Sequence, residues 1–343
     1  MNRIMIIGCG DIAMRVAGLL TSRYRLFGLV RNPVHVDALR AAGIVPVLGD
    51  LDDPRSLHRL AGIAQTVLHL APPPTATEDS ATDTRTRNLI AALSRGSLPQ
   101  RLIYISTSGV YGDCRGEQVP ETRPVHPQTA RAKLRVNAES QIRTWANNHG
   151  VQASILRVPG IYAAERLPLE RLKKATPAII DAEDGYTNHI HADDLARCVI
   201  AAMRYAKPNR SYHTVDDSRM KMGEYFDAVA DAFALPRTAR VTRAEAKQLL
   251  SPMMLSFMNE SRRLSNTRIK QELKVVLHYP TVGAALTEIR ATSFAPSPVC
   301  PVKNISDAGG GLEKKEIRPH GLAGSTAPAC ASPRQMQLPL PLF

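Results

Sequence analysis

Over the first 160 positions, short runs of consecutive apolar residues alternate with stretches whose apolar positions recur every three or four residues. Arg3–Ile7, Leu26–Val30, Val45–Leu48, Thr66–Leu70, Arg101–Ile105 and Gln152–Arg157 are short, apolar and bounded by Gly, Pro or polar residues, which predicts strands. Most are apolar on successive residues, as expected of strands buried on both faces of a parallel sheet. Between them Asp11–Thr21, Val34–Ala42, Arg85–Ser94 and Gln128–Asn147 carry the helical period. Strand–helix alternation of this kind predicts a Rossmann-type α/β fold, a doubly wound parallel sheet with right-handed crossovers.

The alternation breaks after Arg157. Residues 160–190 read as loop-rich; His191–Tyr205 predicts a helix, Ser211–Val215 a strand and Met222–Ala234 a helix, with more helix in 243–256 and 266–273. The expected organisation is a Rossmann domain over 1–160, then a small mixed C-terminal substrate lobe over 161–295, discontinuous with it. From 296 to 343 the composition shifts: 13 of 48 residues are Pro or Gly, against 33 of the 295 before. With a Gly309-Gly310-Gly311 run and no apolar periodicity, that segment reads as a disordered tail.

A 44% hydrophobic content supports a sizeable core. The net charge of +13 admits nucleic acid, a membrane surface or an anionic small ligand as partner. The positive residues are spread along the chain, and nine Tyr, six Phe and one Trp do not interleave with a basic face, so nucleic acid is a poor fit. Five cysteines show neither pairing nor CxxC spacing, which argues for a reducing, cytoplasmic setting and against a structural zinc site. No apolar run is long enough to span a membrane, and the opening MNRIMIIGCG runs too soon into glycine for a signal peptide.

The first strand leads into Gly8-Cys9-Gly10-Asp11-Ile12-Ala13 and then a helix, the G-x-G-x-x-A turn of a dinucleotide site. Gly8 permits the tight turn, Gly10 lets the backbone approach a pyrophosphate, and Ala13 lets helix and strand pack closely, with Ile12 beside it. The helix N-terminus offers unpaired N–H groups to phosphate. At the end of the second strand an acid would hold the ribose 2′-OH of NAD; Leu29-Val30-Arg31-Asn32 offers an arginine instead. Arg31 therefore either binds the 2′-phosphate of NADP or is a solvated strand end. In Gly49-Asp50-Leu51, Asp50 is placed to accept from the adenine amine, to cap the helix near Pro54, or both. Leu70-Ala71-Pro72 is placed to form the floor beneath the cofactor.

Gly8–Ala13, Gly49–Leu51, Tyr104-Ile105-Ser106-Thr107-Ser108-Gly109-Val110-Tyr111-Gly112, Leu156–Tyr162 and Asn188–Ala196 together resemble the NAD-dependent epimerase/dehydratase family, the extended short-chain dehydrogenase/reductases. Arg263-Leu264-Ser265-Asn266, Leu273 and Tyr279-Pro280 resemble that family's closing segment. The resemblance covers roughly residues 1–290 and implies a nicotinamide cofactor, contacts to it at Leu51, Leu70, Ala71 and Pro159, and a sugar-nucleotide-like small metabolite as substrate. It also implies a Ser/Thr, a Tyr and a Lys four residues after that Tyr as catalytic groups. Thr107 takes the hydroxyl place and Lys133 the lysine place, but the residue four before Lys133 is Thr129, not Tyr.

A threonine hydroxyl ionises far above a phenol, so Lys133 cannot tune it for proton transfer near neutrality. Either a phenol from elsewhere substitutes, Tyr111 or Tyr162 being nearest in sequence, or the chain binds cofactor without conventional catalysis, as a redox sensor or partner-binding protein. His189, His191, Asp193 and Asp194 have the wrong spacing for a metal, and Asp194 is expected to pin the following helix. Arg262-Arg263 either meets a substrate phosphate or is solvated. The final Gln337–Phe343 resembles peptides that dock on the bacterial sliding clamp.

Overall fold

Seven strands form one wholly parallel sheet, its inner strands buried on both faces: β1 (Arg3–Ile7), β2 (Arg25–Val30), β3 (Ile44–Leu48), β4 (Thr66–His69), β5 (Arg101–Thr107), β6 (Gln152–Val158) and β7 (Arg210–His213). This computed structural model describes residues 2–76 and 81–293. The expected disordered tail and the 337–343 docking peptide lie outside the described residues. The sheet order is β3-β2-β1-β4-β5-β6-β7, with the chain reversing direction of travel at β1. Consecutive apolar residues serve opposite faces. Ile4 and Ile6 pack on one side with helices α1 (Asp11–Leu20) and α5 (Ala192–Tyr205); Met5 and Ile7 pack on the other with α3 (Thr84–Leu93) and α4 (Ala130–His149). The short α2 (Val36–Ala41) completes the first side.

All six expected strands of the first 160 residues are present, with ends displaced by at most two residues. β5 runs on through polar Ser106 and Thr107 because they pair with Arg157 and Val158 of β6. β4 stops at His69, yet the Leu70 amide still donates to the Ile7 carbonyl at 2.8 Å. The strand expected at Ser211–Val215 does not stand in the lobe: as β7 it pairs with β6 and closes the sheet edge. Residues 192–213 thus return to the sheet layer. The lobe has its own apolar core, including Tyr162, Leu172, Ile179, Phe226, Val229, Val282 and Leu286. The lobe is tied back by two short parallel pairs, Gly160–Tyr162 with His189–His191 and Gln118–Val119 with Arg263–Leu264. Among the described residues no helix is long and apolar enough to cross a membrane.

Candidate functional site

In a parallel sheet every strand ends on the same edge, and there the residues expected to hold a cofactor collect. Gly8 follows β1 at φ +93°, a left-handed conformation that favours glycine. A Cβ on it would lie 2.5 Å from the Ala71 amide nitrogen, so only glycine allows the β1 and β4 ends to meet. A Cβ on Gly10 would meet nothing within 4 Å: the space in front of α1 is open. Gly10 is the N-cap of α1 and no side chain caps that helix, whereas Asp83, Thr129 and His191 cap α3, α4 and α5. The first amides of α1 are therefore left for a ligand. Asp11, the acid beside them, is bound by Arg15 at 2.8 Å and Arg166 at 3.0 Å. Cys9 is inert, since burial pushes its thiol up to about 12.

The rest of the edge continues the line. Exposed Arg31 follows β2 with its Nε 4.0 Å from Asp50 Oδ2. Asp50 lies beyond β3, where its Oδ1 accepts the Asp52 amide at 3.0 Å. Buried Leu51 follows, and Asp52 pairs with both arms of Arg85 at 2.8 and 2.6 Å. Half-buried Leu70 and buried Ala71 end β4, Thr107 ends β5, and half-buried Pro159 follows β6; Ile12 and Ala13 open α1. Thr107 Oγ1 accepts the Gly109 amide at 3.1 Å, which leaves its own proton to donate.

Helix α4 departs from the sequence expectation. Thr129 is not on a helical face; it is the N-cap, its hydroxyl accepting the Ala132 amide at 3.2 Å. Lys133 is exposed. The face that meets the sheet carries Ala138, Glu139, Ile142, Trp145 and Ala146, and stepping back by turns of the helix leads to Arg135 and Arg131. Lys133 stands about 200° round the helix from Arg131, on the far side. Lys133 is thus on the exposed side of α4, and the Thr129 hydroxyl is engaged in the cap. Arg135 is bonded at the strand ends: one of its terminal nitrogens donates to the Ile105 carbonyl at 2.7 Å, the Tyr104 hydroxyl at 3.0 Å and the Ala71 carbonyl at 3.4 Å. Half-buried Arg131 sits one turn earlier, and burial together with Arg135 draws its pKa below the usual value against the pull of Glu260.

Glu260 and Arg262 come from the lobe. Arg262 is nine-tenths buried; it donates to Glu260 Oε2 at 2.7 Å and to the Gly112 carbonyl at 2.8 Å, while its Nε has no partner among the described residues. Glu260 Oε2 and Thr107 Oγ1 flank one small space. A methyl placed on Gly109 would sit 3.7 Å from the first and 3.5 Å from the second. Arg263, by contrast, donates to the Gly116 carbonyl at 2.7 Å and lies over Tyr186. Sequence reasoning missed Arg131, Arg135 and Glu260, although the apolar stripe of α4 pointed to the first two.

The two phenols nearest in sequence do not replace the missing tyrosine. Tyr111 is buried, its hydroxyl held at 2.6 Å by both His213 Nε2 and Arg157, with burial pushing it up to about 12. Arg157 is itself paired with Glu139 at 2.7 Å, and Glu139 accepts from Ser106 at 2.6 Å, a closed buried network behind β5 and β6. Tyr162 lies between His189 and His191 and donates to Asp216 at 3.3 Å. His189 stacks on Tyr225 and His191 on Tyr279, so both histidines pack in the lobe seam. Asp194 is fully buried and accepts the His278 and Tyr279 amides at 2.9 and 2.8 Å, pinning α5 to the closing segment. A cavity of about 740 Å³ opens elsewhere, lined by Asn188, Asp216, Arg263 and Asn266; none of Gly10, Thr107 or Arg135 lines it.

A parallel sheet in this order, with a glycine turn feeding an uncapped helix at its carboxyl edge, defines a dinucleotide-binding α/β protein. The profile of the NAD dependent epimerase/dehydratase family matches residues 13–215, and the chain belongs to that family, whose description implies a nicotinamide cofactor. A protein of unknown function from Silicibacter pomeroyi is 28% identical over 86% of this chain and all of its own, with a TM-score of 0.70. UDP-glucose 4-epimerase of Thermotoga maritima, solved with UDP-glucose, is 16% identical over 85% of this chain and 99% of its own, TM-score 0.67. UDP-glucuronic acid 4-epimerase of Bacillus cereus, solved with NAD, is 16% identical over 84% and 99%, TM-score 0.64. The last two share the fold. A comparison with curated protein sequences gives no match.

Proposed function

We propose that the chain binds NADP(H) along the carboxyl edge of its sheet and transfers hydride on a small, sugar-nucleotide-like metabolite, as an oxidoreductase of the epimerase/dehydratase kind. The observation that carries it is the open space before Gly10 at the uncapped start of α1, with Gly8 seated on Ala71. The pyrophosphate takes the α1 amides, Asp50 the adenine amine and Arg31 the 2′-phosphate. NADP is preferred and NAD is the alternative cofactor. The substrate oxygen then falls between Thr107 and Glu260. Thr107 would donate a hydrogen bond to it, and the Glu260 carboxylate, in place of a phenol, would accept the alcohol proton on oxidation and return it on reduction; a bound nicotinamide would supply the hydride exchange.

A second reading, a non-catalytic NADP(H)-binding sensor, is favoured by the exposed position of Lys133 and by the engagement of Tyr111 with His213 and of Tyr162 with Asp216. Turnover separates the two. The full chain is incubated with NADP(H) and a panel of sugar nucleotides, following cofactor absorbance and epimer formation, beside Glu260→Gln. Conversion by the wild type that falls at least tenfold in the variant, with unchanged cofactor affinity, supports the enzyme. Cofactor binding without conversion of any panel member supports the sensor.

A further inference from the structure

Asp11 opens α1 directly after Gly10, in the turn whose amides no side chain caps. An acid there suits the helix, whose N-terminus carries partial positive charge, but it competes with an anionic ligand for the same field. A pyrophosphate settles beside this carboxylate at a Coulombic cost unless nearby cations answer its charge. Two arginines do so. Arg15, one turn on, donates to Asp11 Oδ1 at 2.8 Å, but the same guanidinium also serves Asp193 Oδ1 at 2.5 Å and Glu165. Asp11 Oδ2 is buried and makes no aligned hydrogen bond among the described residues; the cation beside it is Arg166, its Nη2 3.0 Å away.

Arg166 does not come from the sheet layer. It ends the short turn of helix Ala164–Arg166, and Tyr162 before that turn and Leu167 after it are buried in the core of the lobe. Glu165, its neighbour, ties the same turn to Arg15 of α1, and Arg15 in turn holds Asp193 in the first turn of α5. The lobe therefore delivers to the start of α1 a cation that the glycine turn itself lacks. Removing it would leave a buried carboxylate oxygen without its counter-charge, next to the place where a phosphate is expected.

We propose that Arg166 is a positioning residue of the cofactor site: by masking Asp11 it lets the α1 amides donate to a pyrophosphate, so that dinucleotide affinity depends on a cation supplied by the lobe. This inference rests on the cofactor reading above and adds to it a residue far from the glycine turn in sequence. The pyrophosphate is common to both cofactors. Arg166 therefore acts on NADPH and NADH alike, unlike Arg31, which would meet only the 2′-phosphate.

The test titrates the full chain with NADPH and with NADH by calorimetry, in the wild type, Arg166→Gln, Arg166→Lys, Asp11→Asn and the double variant Arg166→Gln/Asp11→Asn. Arg166→Gln should weaken both cofactors by about tenfold, because the bared Asp11 charge repels the phosphates. Asp11→Asn should bind at least as tightly as the wild type. The double variant should recover to within about threefold of the wild type, since the charge that Arg166 masks is gone. Arg166→Lys keeps the cation and should keep most of the affinity. Unchanged affinity in Arg166→Gln, a loss confined to NADPH, or a double variant as weak as Arg166→Gln overturns the masking role. Weaker binding by Asp11→Asn overturns it too, and that arm stands even if Arg166→Gln does not fold. A purely structural role for Arg166 lowers the urea midpoint and is not rescued by Asp11→Asn. A wild type that binds neither cofactor overturns the cofactor reading itself, a failure seen before any variant is made.

Discussion

Arg31→Ala puts a number on cofactor choice. Arg31 follows β2 with 69% of its side chain exposed, and its ion-pair neighbour Asp50 is 4.0 Å away at the limit of pairing. Two unit charges at that separation attract by about 1 kcal/mol in water and about 4 kcal/mol at an effective dielectric of 20. An exposed guanidinium lies near the lower figure. A 2′-phosphate carrying close to two charges brings the attraction to about 2 kcal/mol, inside the range of about 1.5–3 kcal/mol for hydrogen bonds to charged groups. That corresponds to roughly 30-fold in affinity. Asp50 repels the phosphate and sets a lower expectation of about tenfold. NADH has no 2′-phosphate and should change less than about twofold. The assay is fluorescence titration of both proteins with both cofactors at low and high salt; the NADPH advantage should shrink with salt, as an exposed pair does. Equal weakening of NADPH and NADH, or no change for NADPH, refutes the assignment.

Thr129→Ala should cost about 1 kcal/mol of stability through the lost cap of α4 and leave cofactor binding intact, as read by urea unfolding beside an NADPH titration. For the same reason Thr129→Tyr should gain no carbonyl-reductase activity: it removes the cap and sets a phenol beside a lysine that faces solvent. Glu139→Gln should destabilise by about 3–5 kcal/mol, because buried Arg157 is left without its counter-charge; a loss below about 1 kcal/mol in urea contradicts the buried pair. Stability should also fall in acid. Burial holds His69, His189 and His213 neutral with pKa values pushed down to about 3. Unfolded histidines titrate near 6.5, so the unfolded chain takes up protons that the folded one refuses. Their contribution is full above about pH 6.5 and is lost as pH falls towards about 3, by up to about 1.4 kcal/mol per unit for each. Asp216, raised by burial to about 7, acts in reverse, its contribution lost as pH rises from about 4 through about 7, and offsets one of the three. The urea midpoint should therefore be lower at about pH 5 than at about pH 7.5, and the opposite order contradicts the burial of these histidines.

The sheet was legible because a strand buried on both faces shows apolar residues in succession, as Ile4–Ile7 of β1 and Leu102–Ile105 of β5 do. The glycine turn was legible because its spacing has one use at a strand–helix junction. β7 was placed in the wrong layer: Arg210–His213 is as short as a lobe strand, and its pairing with β6 is decided by tertiary contact rather than by local pattern. The catalytic helix shows a different failure. Counting four residues from Thr129 to Lys133 ignored which face packs, whereas Ala138, Ile142, Trp145 and Ala146 already marked the buried stripe and led back to Arg135 and Arg131. Glu260 carried no signal at all. It reaches Gly109 only because the lobe folds back across 150 residues, and nothing in Asn259–Ser261 marks it as part of a site.

The measurement that bears most directly on the central claim is a calorimetric titration of the full chain with NADPH and then NADH, beside Gly10→Val. A Cβ at Gly10 meets nothing within 4 Å and a branched side chain there enters the space before α1, so the variant should fold, with its stability in urea lowered by no more than the loss of a good N-cap residue, about 1 kcal/mol, and lose the cofactor. The account predicts one-to-one binding by the wild type, NADPH at least about tenfold tighter than NADH, and neither bound by Gly10→Val. A wild type that binds neither cofactor, or a folded Gly10→Val that binds NADPH as well as the wild type, contradicts it.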